Sequence, residues 1–230
     1  MSDVLITGAS RGIGRTCAER FAKAGYRLIL VARKLGPLEE LSATLINDLG
    51  AHSCQLISAD LATEEGCQKV LQELKAHQCI PDVLINNAGR FTEGRLTDNS
   101  SDQLEDLLAL NLLAAYRLGR SIIPAMLQRG SGHLITIGSV AVDDYPPSMG
   151  QYTISKVALH ALHRAWEKEL ADSPLRGSLI VPGATLTSSW DGADFIPAAI
   201  LSPTDVAEQV FAAYATPSAN ERWTTAYLRP

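Results

Sequence analysis

The sequence predicts an α/β protein built on a doubly wound, mostly parallel sheet with helices on both faces. Three observations predict it. Short apolar runs alternate along the chain with segments of helical period. Several of the runs are near-continuous Val, Ile and Leu, as strands covered on both faces require. A glycine-rich turn follows the first run directly, where a βα unit needs a tight connection.

Taken in order, the strand candidates are 4–7, 28–32, 53–58, 83–86, 133–137, 178–181 and a weaker 224–228. Between them lie helical segments at 12–24, 37–49, 63–77, 101–128, 152–171 and 203–215. Gly25 and Gly50 stand where C-terminal caps belong, and Pro37 and Pro203 suit first helical turns. The segment 101–128 carries Leu104, Leu107, Leu108, Leu110, Leu112, Leu113 and Leu118 on more than one stripe. A helix apolar on several sides is either a central core helix or one that also meets a partner subunit, and the second reading is preferred. No linker, repeat or low-complexity stretch interrupts the chain, so residues 1–230 are expected to form one domain.

Composition limits function. The chain is 46% hydrophobic and 20% charged with a formal net charge of −5. It has no Lys/Arg block, which argues against a nucleic-acid partner. Cys17, Cys54, Cys67 and Cys79 are scattered without a CxxC, so no zinc site or disulfide framework is indicated and reduced, mostly buried thiols are expected. No apolar run approaches a membrane span, and the first strand begins too early for a signal peptide. A cytoplasmic location is the expectation.

The stretch "VLITGASRGIGRTCAERFAKAG" reads strand, glycine loop, helix, with Gly8, Gly12 and Gly14 spaced GxxxGxG. Glycines there let backbone N–H groups approach a phosphate, and the helix N-terminus adds positive potential. Dinucleotide binding is preferred over a merely structural turn. An acidic residue at the end of the second strand would select NAD through the ribose 2′-hydroxyl. Here that place carries Arg33 and Lys34, with Arg11 inside the loop. Cations suit a 2′-phosphate, so NADP(H) is the expected cofactor; a solvated strand-end charge is the alternative.

"TGASRGIG", "NNAG" (86–89), Ser139, "YTISK" (152–156) and "PGATLT" (182–187) together resemble the short-chain dehydrogenase/reductase family, in the family's order and across nearly the whole chain. The resemblance implies a single Rossmann domain with strand order 3-2-1-4-5-6-7. It also implies a nicotinamide cofactor, and a homodimer or homotetramer built on helices 101–128 and 152–171.

Tyr152 and Lys156, four apart, fall on one helical face. A nearby ammonium favours the phenolate, so Tyr152 becomes a candidate proton donor to a carbonyl oxygen. By resemblance, Lys156 also holds the nicotinamide ribose, Ser139 orients the carbonyl and Asn111 holds a water in the proton relay. Each alone has a bland alternative: a packed ring, a solvated amine, a strand-end serine, a helix–helix hydrogen bond. The resemblance further implies cofactor contacts from Gly8, Ser10, Arg11, Gly12, Ile13 and Gly14. Asp60 and Leu61 would meet the adenine, Asn87, Ala88 and Gly89 the adenosine ribose, and Pro182, Gly183, Thr185 and Thr187 the nicotinamide amide and pyrophosphate.

Substrate contacts are expected from 140–150 and from a lid at 185–201. Tyr145 and Trp190 would stack a flat ring and Asp191 and Asp194 would bind its amide edge, although Trp190 is equally explained as lid packing. His160 and His163 are expected to serve packing or subunit contact, not metal ligation. The ending "ERWTTAYLRP" lacks the glycine-rich tail of the 3-oxoacyl-carrier-protein reductases. The short lid with "PGATLTSSW" and the "LRP" ending look more like bacterial sepiapterin-reductase-like and carbonyl-reductase members. The functional expectation is an NADPH-dependent carbonyl reductase (or its reverse), with a 3-oxoacyl-carrier-protein reductase or a non-catalytic NADP(H) sensor as alternatives.

Overall fold

The computed structural model describes residues 2–98, 102–190, 198–216 and 221–230. Seven parallel strands form one sheet: β1 (Asp3–Thr7), β2 (Arg27–Ala32), β3 (Ser53–Ser58), β4 (Val83–Asn86), β5 (His133–Ile137), β6 (Arg176–Pro182) and β7 (Trp223–Leu228). Their order is β3-β2-β1-β4-β5-β6-β7, the one the family resemblance implies. The order reverses between β1 and β4, so the loops leaving the carboxyl ends of those two strands diverge and open a crevice.

Helices cover both faces because each inner strand presents apolar side chains to both. On one face α1 (Gly12–Ala22), α2 (Gly36–Asn47) and α8 (Pro203–Ala215) pack Phe21, Leu41, Leu45 and Val210 against Val4, Ile6 and Leu30. On the other, α3 (Glu64–Ala76), α5 (Ala114–Arg129) and α7 (Gly150–Glu169) pack Val70, Leu118, Ile122 and Trp166 against Leu5, Leu84 and Leu134. Local chemistry sets the ends. Thr63 caps α3 by accepting the Gly66 N–H, and Ser202 with Asp205 forms a capping box at α8. Gly25 and Gly50 take the left-handed conformation expected of caps.

The segment 101–128 departs from a regular helix. It comprises α4 (Leu104–Leu108), a π-helical turn (Ala109–Leu113) and then α5. Residues 99–101 lie outside the described residues. Leu107 and Leu118 are fully buried, while Leu104, Leu108, Leu110, Leu112 and Leu113 remain half-buried in the single chain. A short α6 (Ala141–Asp144), absent from the sequence reading, follows β5. The four cysteines are free thiols, with Cys17 and Cys67 buried and Cys54 and Cys79 half-buried. Among the described residues no helix is long and apolar enough to cross a membrane.

Two histidines hold the β5 side of the sheet. His133 lies 2.9 Å from the Ser178 hydroxyl, which lies 3.0 Å from that of Thr224, linking β5, β6 and β7. His163 meets the Thr136 hydroxyl at 3.0 Å and packs on Trp223. Burial, the largest cause for both, pushes His133 down to about 3 and His163 to about 4. The folded state therefore prefers neutral rings, whereas the unfolded chain takes up protons below about pH 6.5. Their stabilisation is complete above that pH and falls as pH drops from 6.5 toward 4, by up to about 1.4 kcal/mol per histidine per pH unit. Urea midpoints should thus be lower at pH 5 than at pH 7.5, with a shallower dependence in His133→Gln. A midpoint unchanged across that range would contradict the assignment.

Candidate active site

The crevice at the carboxyl ends of β1 and β4 is held open by one hydroxyl and one amide. Thr7 Oγ1 donates to the Ile85 carbonyl at 3.0 Å and accepts the N–H groups of Asn87 and Ala88, each at 2.9 Å. Asn87 Nδ2 donates back to the carbonyls of Thr7 and Gly8 at 2.8 and 3.2 Å. The Asn87 side chain thus braces the glycine loop; Ala88 is half-buried beside it and Gly89 is exposed. Gly14 lies against the same loop: a Cβ there would overlap the Gly8 carbonyl and Asn87 Nδ2. Thr187 comes over the loop from the far side, its methyl 3.2 Å from where a Gly12 Cβ would stand. Ser10 is half-buried, and Ile13 turns its side chain into the core, leaving its main chain for any ligand.

At the end of β2, Arg33 and Lys34 are exposed, as is Arg11 at the N-cap of α1. Among the described residues no ion pair engages any of the three. The Ser58 hydroxyl donates to the Arg33 carbonyl at 3.0 Å and fixes that strand end. Asp60 is exposed but its carboxylate accepts the Ala62 N–H at 3.1 Å, and the Leu61 side chain is buried, so Leu61 can reach a ligand only through its backbone.

Beyond β5 and along α7 the other predicted residues converge. Lys156 is 6% exposed; its Nζ donates to the Ile137 carbonyl at 3.0 Å and stands 5.9 Å from the Tyr152 ring centroid. Burial lowers Lys156 to about 8, which favours a neutral amine more than in water. Tyr152 is raised by burial, with a hydrogen bond from Ser139 pulling the other way. The sequence reading expected Lys156 to lower Tyr152. Here the ammonium is aimed at Ile137, and burial outweighs Ser139. Ser139 Oγ also accepts the Ala141 N–H at 3.2 Å.

Asn111 sits in the π turn, 1% exposed. Its Oδ1 accepts the Arg90 N–H at 2.8 Å, and its Nδ2 donates to the Arg90 carbonyl at 3.0 Å and to Ser155 Oγ at 2.9 Å. Ser155 in turn donates to the Tyr152 carbonyl at 2.7 Å. The side chain therefore ties the loop after β4 to the turn of α7 that carries Tyr152. Pro182 is buried and its carbonyl accepts the Val140 N–H at 3.1 Å, while the Gly183 N–H donates to Leu228 at 2.8 Å. Thr185 Oγ1 donates to the Gly183 carbonyl at 3.0 Å.

Of the substrate candidates, Tyr145 is 61% exposed and held in the left-handed region at φ 46°. Trp190 is half-buried and its indole N–H donates to the Thr185 carbonyl at 2.9 Å, tying it to its own segment. Asp191 and Asp194 lie outside the described residues. Two contacts escaped the sequence reading. Phe91 meets the Tyr152 ring edge to face, centroids 5.1 Å apart; an aromatic two residues past "NNAG" was the available signal. His160 Nε2 accepts the Ser139 N–H at 3.3 Å; helical period places it on the face of Lys156 but does not show that this face meets Ser139.

The sequence matches the family described as short chain dehydrogenase over residues 2–194. The chain belongs to that family. Its members are NAD(P)-dependent oxidoreductases, consistent with a glycine loop whose cradle a side chain would fill. An uncharacterised oxidoreductase of Staphylococcus epidermidis is 28% identical over 214 residues, 93% of this chain and 91% of the relative. A short-chain dehydrogenase from Sphingobium yanoikuyae in complex with NADPH is 30% identical with a TM-score of 0.88, covering 99% of this chain and 87% of that one. The L-sorbose reductase of Gluconobacter frateurii, complexed with NADPH and L-sorbose, is 26% identical with a TM-score of 0.90, covering 99% and 95%.

The glycine loop generates a test. Relief of the Gly14→Ala overlap costs about 1–3 kcal/mol, so titration should show dinucleotide affinity weakened about tenfold or more. Unchanged affinity would remove the loop from the binding site.

Proposed function

We propose that the chain is an NADPH-dependent reductase of a small-molecule carbonyl, running in either direction according to the ratio of the cofactor's two forms. The observation that carries this reading is the convergence of Ser139, Tyr152 and Lys156 beyond β5, on the same carboxyl edge as the glycine loop. The phosphates would rest on the loop of Gly8, Ser10, Gly12 and Gly14 and on Thr187. Asp60, the Leu61 backbone, Ala88 and Gly89 would receive the adenosine half, and Pro182, Gly183 and Thr185 the nicotinamide half. Arg11, Arg33 and Lys34, unpaired among the described residues, would take the 2′-phosphate; this is the basis for preferring NADP(H) over NAD.

When held on these residues, NADPH would supply the hydride that the carbonyl carbon receives. Tyr152 gives its phenolic proton to the carbonyl oxygen as charge develops there, and the Ser139 hydroxyl donates a hydrogen bond to the same oxygen. Lys156, held against Ile137, offers positive charge beside the ring and a hydrogen-bond donor for the ribose. Asn111 acts by fixing the Tyr152 turn, and its expected part in a water relay belongs to the same proposal. Phe91 flanks Tyr152, Leu96 packs against Gly150 at the start of α7, and Tyr145 and Leu186 are exposed; these would give the site an apolar and aromatic mouth. A flat or apolar carbonyl compound of the sepiapterin or carbonyl-reductase type suits it, with the segment 185–201 as lid and Trp190 as part of its packing. We take residues 1–230 as a single domain. The half-buried leucines of 104–113 and the exposed Tyr116 and Ile154 support a homo-oligomer formed on α4, α5 and α7. Four free thiols fit a cytoplasmic setting.

NADPH oxidation against sepiapterin, a vicinal diketone, an aromatic aldehyde, a quinone and a 3-oxoacyl thioester tests the activity. Turnover of at least one member should fall by about a thousandfold or more in Tyr152→Phe, with NADPH affinity retained; full activity in that variant would sink the mechanism. NADPH binding without any turnover would favour the sensor reading. Replacing Arg33 by Ala should weaken NADPH about tenfold, the loss of one charge-assisted hydrogen bond, while NADH affinity stays level. Tighter binding of NADH than NADPH by the unaltered protein would overturn the cofactor assignment.

A further inference from the structure

We infer that His160 is a positioning residue for Ser139, fixing the backbone from which the serine hydroxyl reaches the substrate. The inference rests on Ser139, Tyr152 and Lys156 being the reacting set. It starts from an unfinished edge of the sheet. In a parallel ladder, one residue of a strand binds the carbonyl of one neighbour residue and the N–H of the residue two further on. β4 stops at Asn86, opposite Thr136, just before the Ile137 carbonyl and the Ser139 N–H need such a partner. Helix α7 supplies it with side chains. Lys156 donates to the Ile137 carbonyl at 3.0 Å, and His160 accepts the Ser139 N–H at 3.3 Å. Gly138, between them, donates in the opposite direction to Ile180 at 2.7 Å, as the alternation of a strand requires.

Positions 156 and 160 lie one above the other on a helix, so the clasp is a single helical turn laid along three residues of strand. Gly138 permits the approach: a Cβ there would overlap His160 Nε2. An imidazole nitrogen accepts only when it carries no proton, which assigns the neutral Nδ1–H tautomer. Burial and the like charges of Lys156 and Arg164 push His160 down to about 4, so the ring stays an acceptor at neutral pH. With the bond made, Ser139 and Tyr152 are referenced to the same helix. Without it, Lys156 still holds Ile137, but the backbone beyond it is held from the β6 side, through the Gly138 and Val140 N–H groups.

The test combines nitrogen NMR of 15N-labelled protein with steady-state kinetics of the full chain on the carbonyl it turns over. Wild-type His160 should show the Nδ1–H tautomer and the Ser139 amide slow exchange. His160→Leu should lower kcat about tenfold or more with the KM for NADPH within about twofold. His160→Gln, whose amide oxygen offers an acceptor in that region, should recover most of the loss; a packing role alone would not distinguish Leu from Gln. Full kcat in His160→Leu, or an Nε2–H tautomer in the wild type, would overturn the inference. If the unaltered protein shows no Tyr152-dependent turnover, the reductase reading fails instead. The tautomer and the Ser139 exchange rate then decide the His160 bond by themselves.

Discussion

The Thr7–Asn87 brace is the constraint on which the rest of the site depends. Parallel strands running in opposite connection order leave a crevice wherever they meet, but a crevice is useful only at a fixed width. Thr7 fills all its hydrogen-bonding capacity across it, and Asn87 returns two more bonds to the loop. These groups are buried or half-buried, so leaving any of them unpaired would cost about 1–3 kcal/mol. The glycine loop is therefore preorganised from the β4 side, while Thr187 approaches from the β6 side.

A second layer of the same logic runs through α7. One face of its first turns carries Tyr152, Ser155, Lys156 and His160, and each is bonded or packed to something outside the helix. Ser155 reaches Asn111, Lys156 reaches Ile137, His160 reaches Ser139 and the Tyr152 ring meets Phe91. Helix α7 thus works as a ruler against which the strand end, the π turn and the loop after β4 are set.

Much of this was legible beforehand. The strands were readable because burial on both faces leaves near-continuous Val, Ile and Leu, and their bounds move by two residues or fewer. The glycine loop, "NNAG" and Tyr152/Lys156 were readable because their spacing is rigidly set by a turn or a helical repeat. Contacts between distant segments left no such trace. Phe91 on Tyr152 and His160 on Ser139 exist only once β4, β5 and α7 are assembled. Tyr145 in the left-handed region was equally hidden, since tyrosine has no intrinsic leaning toward it. The direction of the Tyr152 shift depends on burial, which a sequence does not display.

The π turn at Ala109–Leu113 is the other feature that periodicity could not reveal. Such a turn amounts to an α-helix with one residue inserted. Each α-helical residue advances the chain by about 100° around the axis, so the insertion dephases everything after it relative to α4. Asn111 faces α7, and α5 still turns Leu118 and Ile122 onto the sheet, because that phase slip lies between them. Length in this stretch is therefore as constrained as identity. A conservative exchange of one leucine for another would be absorbed, whereas a one-residue deletion would rotate two functional surfaces out of register while leaving the composition almost untouched.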